Sequence, residues 1–285
     1  MKTAVMTDTN SGITKKEARE LGLYLMPMPV IINGSVYYED ESIDEAGFYA
    51  AQSSGAEVST SQPSPGEVLE MWDLAFKEGW DEIVYIPMTS GLSKSCEMAI
   101  GLAASYGGKV QVADNHRISV PLRESVLRAV SLAKEGHSAA GIKEQLEREA
   151  YLASIYITVD TLEYLKKGGR ISPAAAMLGT VMQIKPVLSI RGGVLEAFAK
   201  SRGRKNSLEL MVRALKKDAE TRFSSLDPEY MRVCAAGTAL SQEEIDMLKA
   251  ALLEEFPGHE VLYNPLPISV GCHTGPGAMG VGICF

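Results

Sequence analysis

What most limits the fold of this chain is a rhythm. Short apolar runs rich in Val, Ile and Tyr, "TAVMTD" (3–8), "EIVYIPM" (82–88) and "KVQVAD" (109–114), each lead into a helix-like stretch. That alternation is the βαβ rhythm of a parallel sheet. Helix starts are marked by Ser or Thr followed three residues later by Glu, a pair that satisfies free backbone N–H groups reciprocally. Thr14 with Glu17, Ser42 with Glu45, Ser64 with Glu67 and Ser241 with Glu244 all fit. Pro65 falls at the first helical position, where its missing N–H costs nothing. The first half is expected to be a doubly wound α/β sheet.

From Ala153 the rhythm changes. "ASIYITVD" predicts a strand, followed by a short helix to Lys167. "IKPVLSIRGGVLEAFAKS" predicts a hairpin turning at Gly192 and Gly193, and "SLELMVRALKKDAETR" a long amphipathic helix. Strand, helix and strand then recur. We therefore expect an N-terminal α/β domain over 1–150 and a C-terminal α/β domain with a mixed sheet over 151–285, with a ligand cleft between them.

Composition narrows the function. The net charge of −8 argues against nucleic acid as a partner, because sequence-independent binding needs a basic footprint. "MKTAVMTDTN" lacks the apolar core of a signal peptide and no run reaches the length of a membrane span, so the expectation is a cytoplasmic protein without stable membrane insertion. Cys96, Cys234, Cys272 and Cys284 include no C-x-x-C pair and read as reduced core thiols, with no metal site or disulfide.

Ligands of open parallel sheets bind beyond the carboxyl ends of the strands. Three junctions there are rich in hydroxyls: "TDTNSG" after the first strand, "STSQPS" (59–64) and "MTSGLSKS" (88–95). They offer Asp8, Thr60, Ser61, Ser90 and Ser93 beside helix N-termini, a setting for a carboxylate or phosphate. Each is also an ordinary cap, and for Asp8 the cap is the first reading. "LKKGGRIS" and "KSRGRKNS" are basic clusters that suit either solvation or paired-arginine recognition of an anion. Met6, Met88, Met177, Met182 and Met279 lie near these segments and suit a core or an irregular apolar pocket. His116, His137 and His259 read as solvated.

The tail "CHTGPGAMGVGICF" contains G-x-G-x-x-G at Gly275, Gly277 and Gly280. The dinucleotide reading needs a strand before, a helix after and an acidic residue about 20 positions on, and the tail does not offer them. The glycines are instead expected to shape a tight loop that presents His273 to an anion.

"AVMTDTNSGI", "TSQPS", "TSGLS", "LKKGGRIS", "IKPVLSI" and "HTGPGAMG", in this order and over essentially the whole chain, resemble the DegV family, which includes the fatty-acid-binding subunits of bacterial fatty acid kinase. The resemblance implies a two-domain α/β fold holding a long-chain fatty acid in a tunnel. Its carboxylate would be bound by Thr60, with Ser61 beside it, by Ser93 and by His273. A separate fatty acid kinase catalytic subunit would then phosphorylate it with ATP for phospholipid metabolism, engaged through Arg170 and Arg202. The chain itself would need no cofactor and have no catalytic residue. Membrane contact would be transient, for lipid exchange.

Three positions depart from the family pattern. Pro121 and Leu122 stand where relatives have small residues along the tunnel, and Lys94 stands where glycine is usual. Two other readings remain: an acyl hydrolase with Ser93 as nucleophile and His273 as base, and a binder of a small carbonyl compound through His273, as in the substrate domain of dihydroxyacetone kinases.

Overall fold

The computed structural model describes residues 1–39, 41–177 and 184–285. The first apolar runs form β1 (Thr3–Asp8), β2 (Tyr24–Met26), β6 (Glu82–Ile86) and β7 (Val110–Val112), all parallel, in the order β2-β1-β6-β7. Strand residues alternate faces. Val5, Val84 and Ile86 accordingly join one core, and Ala4, Met6, Ile83 and Tyr85 another. α5 (Ser119–Lys134) and α6 (Ala139–Arg148) cover the first face, while α3 (Pro65–Lys77) and α4 (Ser95–Ala103) cover the second. This is the doubly wound arrangement the rhythm predicts.

Capping follows the sequence at three starts. Thr14, Ser64 and Ser241 open α1 (Lys15–Leu21), α3 and α10 (Gln242–Glu255) with complete capping boxes. The fourth is corrected: α2 (Glu45–Ser53) starts from Asp44, whose carboxylate accepts from Gly47 N, while the Ser42 hydroxyl accepts from Tyr38 N in the preceding turn. Asp44 is already in extended conformation and one residue from the helix, so it captures the free N–H first.

A small antiparallel sheet, β4-β3-β5, was not foreseen. It comprises β3 (Val30–Ile32), β4 (Ser35–Tyr37) and β5 (Val58–Thr60), each three residues long. Its apolar face, Val30, Ile32 and Val58, packs on Phe48 of α2 and on Ile268 and Cys272 of α11 (Ile268–Thr274).

The second half forms a mixed sheet in the order β10-β9-β8-β13-β11-β12. Its strands are β8 (Ala153–Thr158), β9 (Ile184–Ile190), β10 (Glu196–Arg202), β11 (Arg232–Gly237), β12 (Val261–Pro265) and β13 (Met279–Cys284). β9 and β10 make the expected hairpin, and α9 (Gly203–Thr221) and α10 cover one face through Leu208, Met211, Leu215 and Leu248. The other face, with Ile157 and Leu188, packs toward the N-terminal half, where α7 (Glu163–Gly168) contributes Leu165 and α8 (Pro173–Ala176) follows.

Candidate functional site

Between the carboxyl edge of the parallel sheet and this second face lies an apolar cavity enclosing about 950 Å³, its mouth included. Its floor is made by subtraction. Gly280 and Gly282, two apart on β13, carry no side chain, flanked in register by Ile157 and Ile155 on β8 and by Ala236 and Cys234 on β11. Met28, Met88, Leu92, Ile118 and Leu165 contribute to the remaining wall.

Two of the polar groups of the wall are paired with each other. Thr60, at the end of β5, shares a 2.7 Å hydrogen bond with His273 Nε2. The small sheet accounts for this pairing, because it packs on α11 and sets the end of β5 against the last turn of that helix. His273 thus lies on a helix and not in the glycine loop that the sequence suggested. The glycines act after it: Gly275 and Gly277 take φ of 73° and 78° to turn the chain from α11 into β13. A Cβ on Gly275 would also come within 2.4 Å of Tyr164.

His273 is held close by Gly168, where a Cβ would fall 2.1 Å from Nδ1 of the ring. Two residues on, Arg170 donates from Nε to Leu92 O at 3.1 Å and from Nη1 to Gly168 O. The next residue after Leu92 is Ser93, which also lines the cavity and whose hydroxyl accepts from Ser95 N at 3.2 Å. Burial lowers the His273 imidazole to about 4, with the nearby Arg170 charge adding to the effect. The ring is therefore neutral near pH 7. Arg170 is the one permanently charged side chain in the wall among the described residues.

The nominated residues therefore divide. Thr60, Ser61, Ser93, Arg170 and His273 line the cavity, although Ser61 is largely exposed. Arg202, the last residue of β10, is exposed and apart from the cavity wall. Asp8 and Ser90 also lie outside the wall. The Asp8 carboxylate accepts from Asn10 N, Asn10 Nδ2 and Met88 N at 2.8 to 2.9 Å, which bears out its reading as a cap. Pro121 does line the cavity, whereas Leu122 turns into the core. Lys94 is solvated, paired with Glu97 at 2.8 Å. His116 departs from the solvated reading: it stacks on Tyr151 with ring centroids 5.0 Å apart.

Of the methionines, Met88 lines the wall, Met6 and Met279 are core, and Met177 is exposed. Met182 lies outside the described residues. Sequence reasoning missed Gly168, Gly282 and Met28. The glycine in front of Arg170 was visible in "GGR", but its contact with His273 joins residues more than a hundred positions apart. All four cysteines are buried and free. No group of metal-ligating side chains occurs among the described residues, nor any helix long and apolar enough to cross a membrane.

Comparison with known proteins gives one answer. The family model described as uncharacterised protein, DegV family, matches residues 2–285. A DegV domain-containing protein of Deinococcus radiodurans is 31% identical over 288 residues, covering 99% of this chain and 98% of the relative. Among solved structures, a fatty-acid-binding DegV family protein from Thermus thermophilus is 30% identical with a TM-score of 0.88, covering 100% of this chain and 99% of its own. DegV from Bacillus subtilis, described as a fatty acid binding protein, is 27% identical with a TM-score of 0.85, at coverages of 100% and 99%. The chain belongs to the DegV family.

Proposed function

We propose that this protein binds a long-chain fatty acid in the cavity, with the carboxylate at Thr60, Ser93 and His273 and with Ser61 beside them. The observation that carries the reading is the wall itself: an apolar cavity whose polar groups include a hydroxyl–imidazole pair, a further hydroxyl and one cation. A carboxylate leaving water loses strong hydration, and hydrogen bonds to its charged form are what offset that loss. In the tautomer with its proton on Nε2, neutral His273 donates to Thr60, whose hydroxyl then donates to the carboxylate; Ser93 supplies a second hydroxyl, and the Arg170 charge favours an anion over a neutral ligand. The fatty-acid-binding relatives from Thermus thermophilus and Bacillus subtilis support the same ligand class.

In this reading the chain performs no chemistry alone. It presents the acid to a separate ATP-dependent kinase subunit, which forms an acyl-phosphate for phospholipid synthesis in the cytoplasm. Exposed Arg202 suits that partner face, and Arg170, in the wall, is suited to serve both ligand and partner. We further infer that residues 1–150 and 151–285 are the two domains flanking the cavity. The hydrolase alternative draws no support from the geometry, since His273 Nε2 pairs with Thr60.

The test is mass spectrometry of lipid extracted from the purified protein beside Thr60→Ala, Ser93→Ala and His273→Ala. The expected result is a stoichiometric fatty acid that is depleted in all three. An empty protein that also refuses added fatty acid rejects the reading. Acyl-phosphate formation with a purified kinase, reduced in Arg202→Ala while fatty acid binding is retained, tests the second half.

A further inference from the structure

The cavity wall contains a second polar feature that its own chain leaves without partners. α5 begins at Ser119 behind Ile118, which supplies no capping side chain, and Ile118 to Pro121 all line the cavity. The amide N–H groups of Ser119 and Val120 have no acceptor among the described residues, and Pro121 has no N–H to offer. Ser119 is only 9% exposed and lines the cavity. Its φ of 58° is one that side-chain-bearing residues rarely adopt. A plain hydrocarbon chain lying in the cavity offers none of these groups a hydrogen-bond partner.

We propose that this turn is a second ligand subsite, which takes an oxygen substituent on the acyl chain, a hydroxyl or oxo group. The inference rests on the fatty-acid reading above and adds a site distinct from the carboxylate group. The amides of Ser119 and Val120 donate to the substituent oxygen. The Ser119 hydroxyl accepts from a ligand hydroxyl or donates to a ligand carbonyl. The step is binding alone, with no bond made or broken.

The experiment compares affinities of the full-length protein for stearic acid and for its monohydroxy positional isomers, in wild type, Ser119→Ala and Ser119→Gly. Wild type should prefer one isomer over stearic acid by up to about tenfold, the worth of a good neutral hydrogen bond. Both variants lose the hydroxyl but keep the two amides, so they should reduce that preference while keeping stearic acid affinity within about threefold. Glycine accepts the left-handed backbone without strain, so Ser119→Gly keeps the test open if Ser119→Ala folds poorly. Stearic acid bound as tightly as every isomer by wild type overturns the subsite alone, and a preference that is undiminished in Ser119→Gly does the same. A protein that binds none of these acids overturns the fatty-acid reading with it.

Discussion

Asp8, which ends β1 and is fully buried, and His273, which is partly buried in the last turn of α11, are ionisable groups that the sequence presents as candidates for one anion site. They differ in where their hydrogen bonds go. Asp8 is fully buried and its two oxygens are taken by Asn10 and Met88, so nothing is left for a ligand. His273 has a threonine hydroxyl on Nε2, a glycine against its ring and an open cavity in front of it. A polar group satisfied by its own chain is architecture, while one satisfied only partly and turned to a cavity is held ready for something else. The two are also shifted in opposite directions. Burial raises Asp8 to about 6 and lowers His273 to about 4.

The widest separation between them should come from His273→Ala. Hydrogen bonds to a charged group are worth about 1.5–3 kcal/mol, so fatty acid affinity should fall by up to about 100-fold with little change in unfolding midpoint. Titration calorimetry beside urea unfolding checks both halves. Asp8→Ala should reverse the pattern. It strips the Asn10 and Met88 amides of their acceptor and should cost about 2 kcal/mol of stability, with binding by the folded fraction within about threefold of wild type.

Acid–base behaviour sharpens the contrast. The folded Asp8 carboxyl holds its proton to about pH 6, against 3.8 for the ordinary group, so its contribution is full below pH 3.8 and is lost as pH rises through 6. His273 contributes fully above its ordinary 6.5, and that stability is lost as pH falls through 4. Between about pH 4 and 6 the two slopes oppose one another. Asp8→Asn should leave stability falling on acidification across this window, and His273→Gln should leave it rising, each by up to about 1.4 kcal/mol per pH unit. Parallel profiles in the two variants would break the comparison. The smallest effect is reserved for Lys94→Ala, whose exposed side chain pairs with Glu97 on the surface; stability should move by less than about 0.5 kcal/mol and affinity not measurably.

Much of the fold was legible because it is local. The boxes at Thr14, Ser64 and Ser241 join residues three apart, and β1 and β6 read directly from their apolar runs. Ser42 misled because Asp44, two residues on, is an equally good cap nearer the helix. The small sheet escaped notice because three-residue strands carry little pattern, and its burial depends on α11, more than 200 residues away. Thr60, Ser93 and His273 were readable as hydroxyl and imidazole groups in shaped segments. Their assembly was not, since it depends on Gly168 admitting the His273 ring and on Arg170 reaching Leu92.

The floor of the cavity has a consequence for chain length. Where depth is set by missing side chains, each added methyl group removes roughly the room of one methylene of ligand. The two glycines are unequal in this respect. A Cβ on Gly280 meets only ordinary contacts, the nearest at 3.7 Å, whereas one on Gly282 meets Cys234 Sγ at 2.9 Å and Ser154 O at 3.0 Å. The groove is thus a ruler with one movable mark: alanine at 280 shortens the acceptable chain at little cost to the fold, while position 282 is fixed by the backbone of the neighbouring strand.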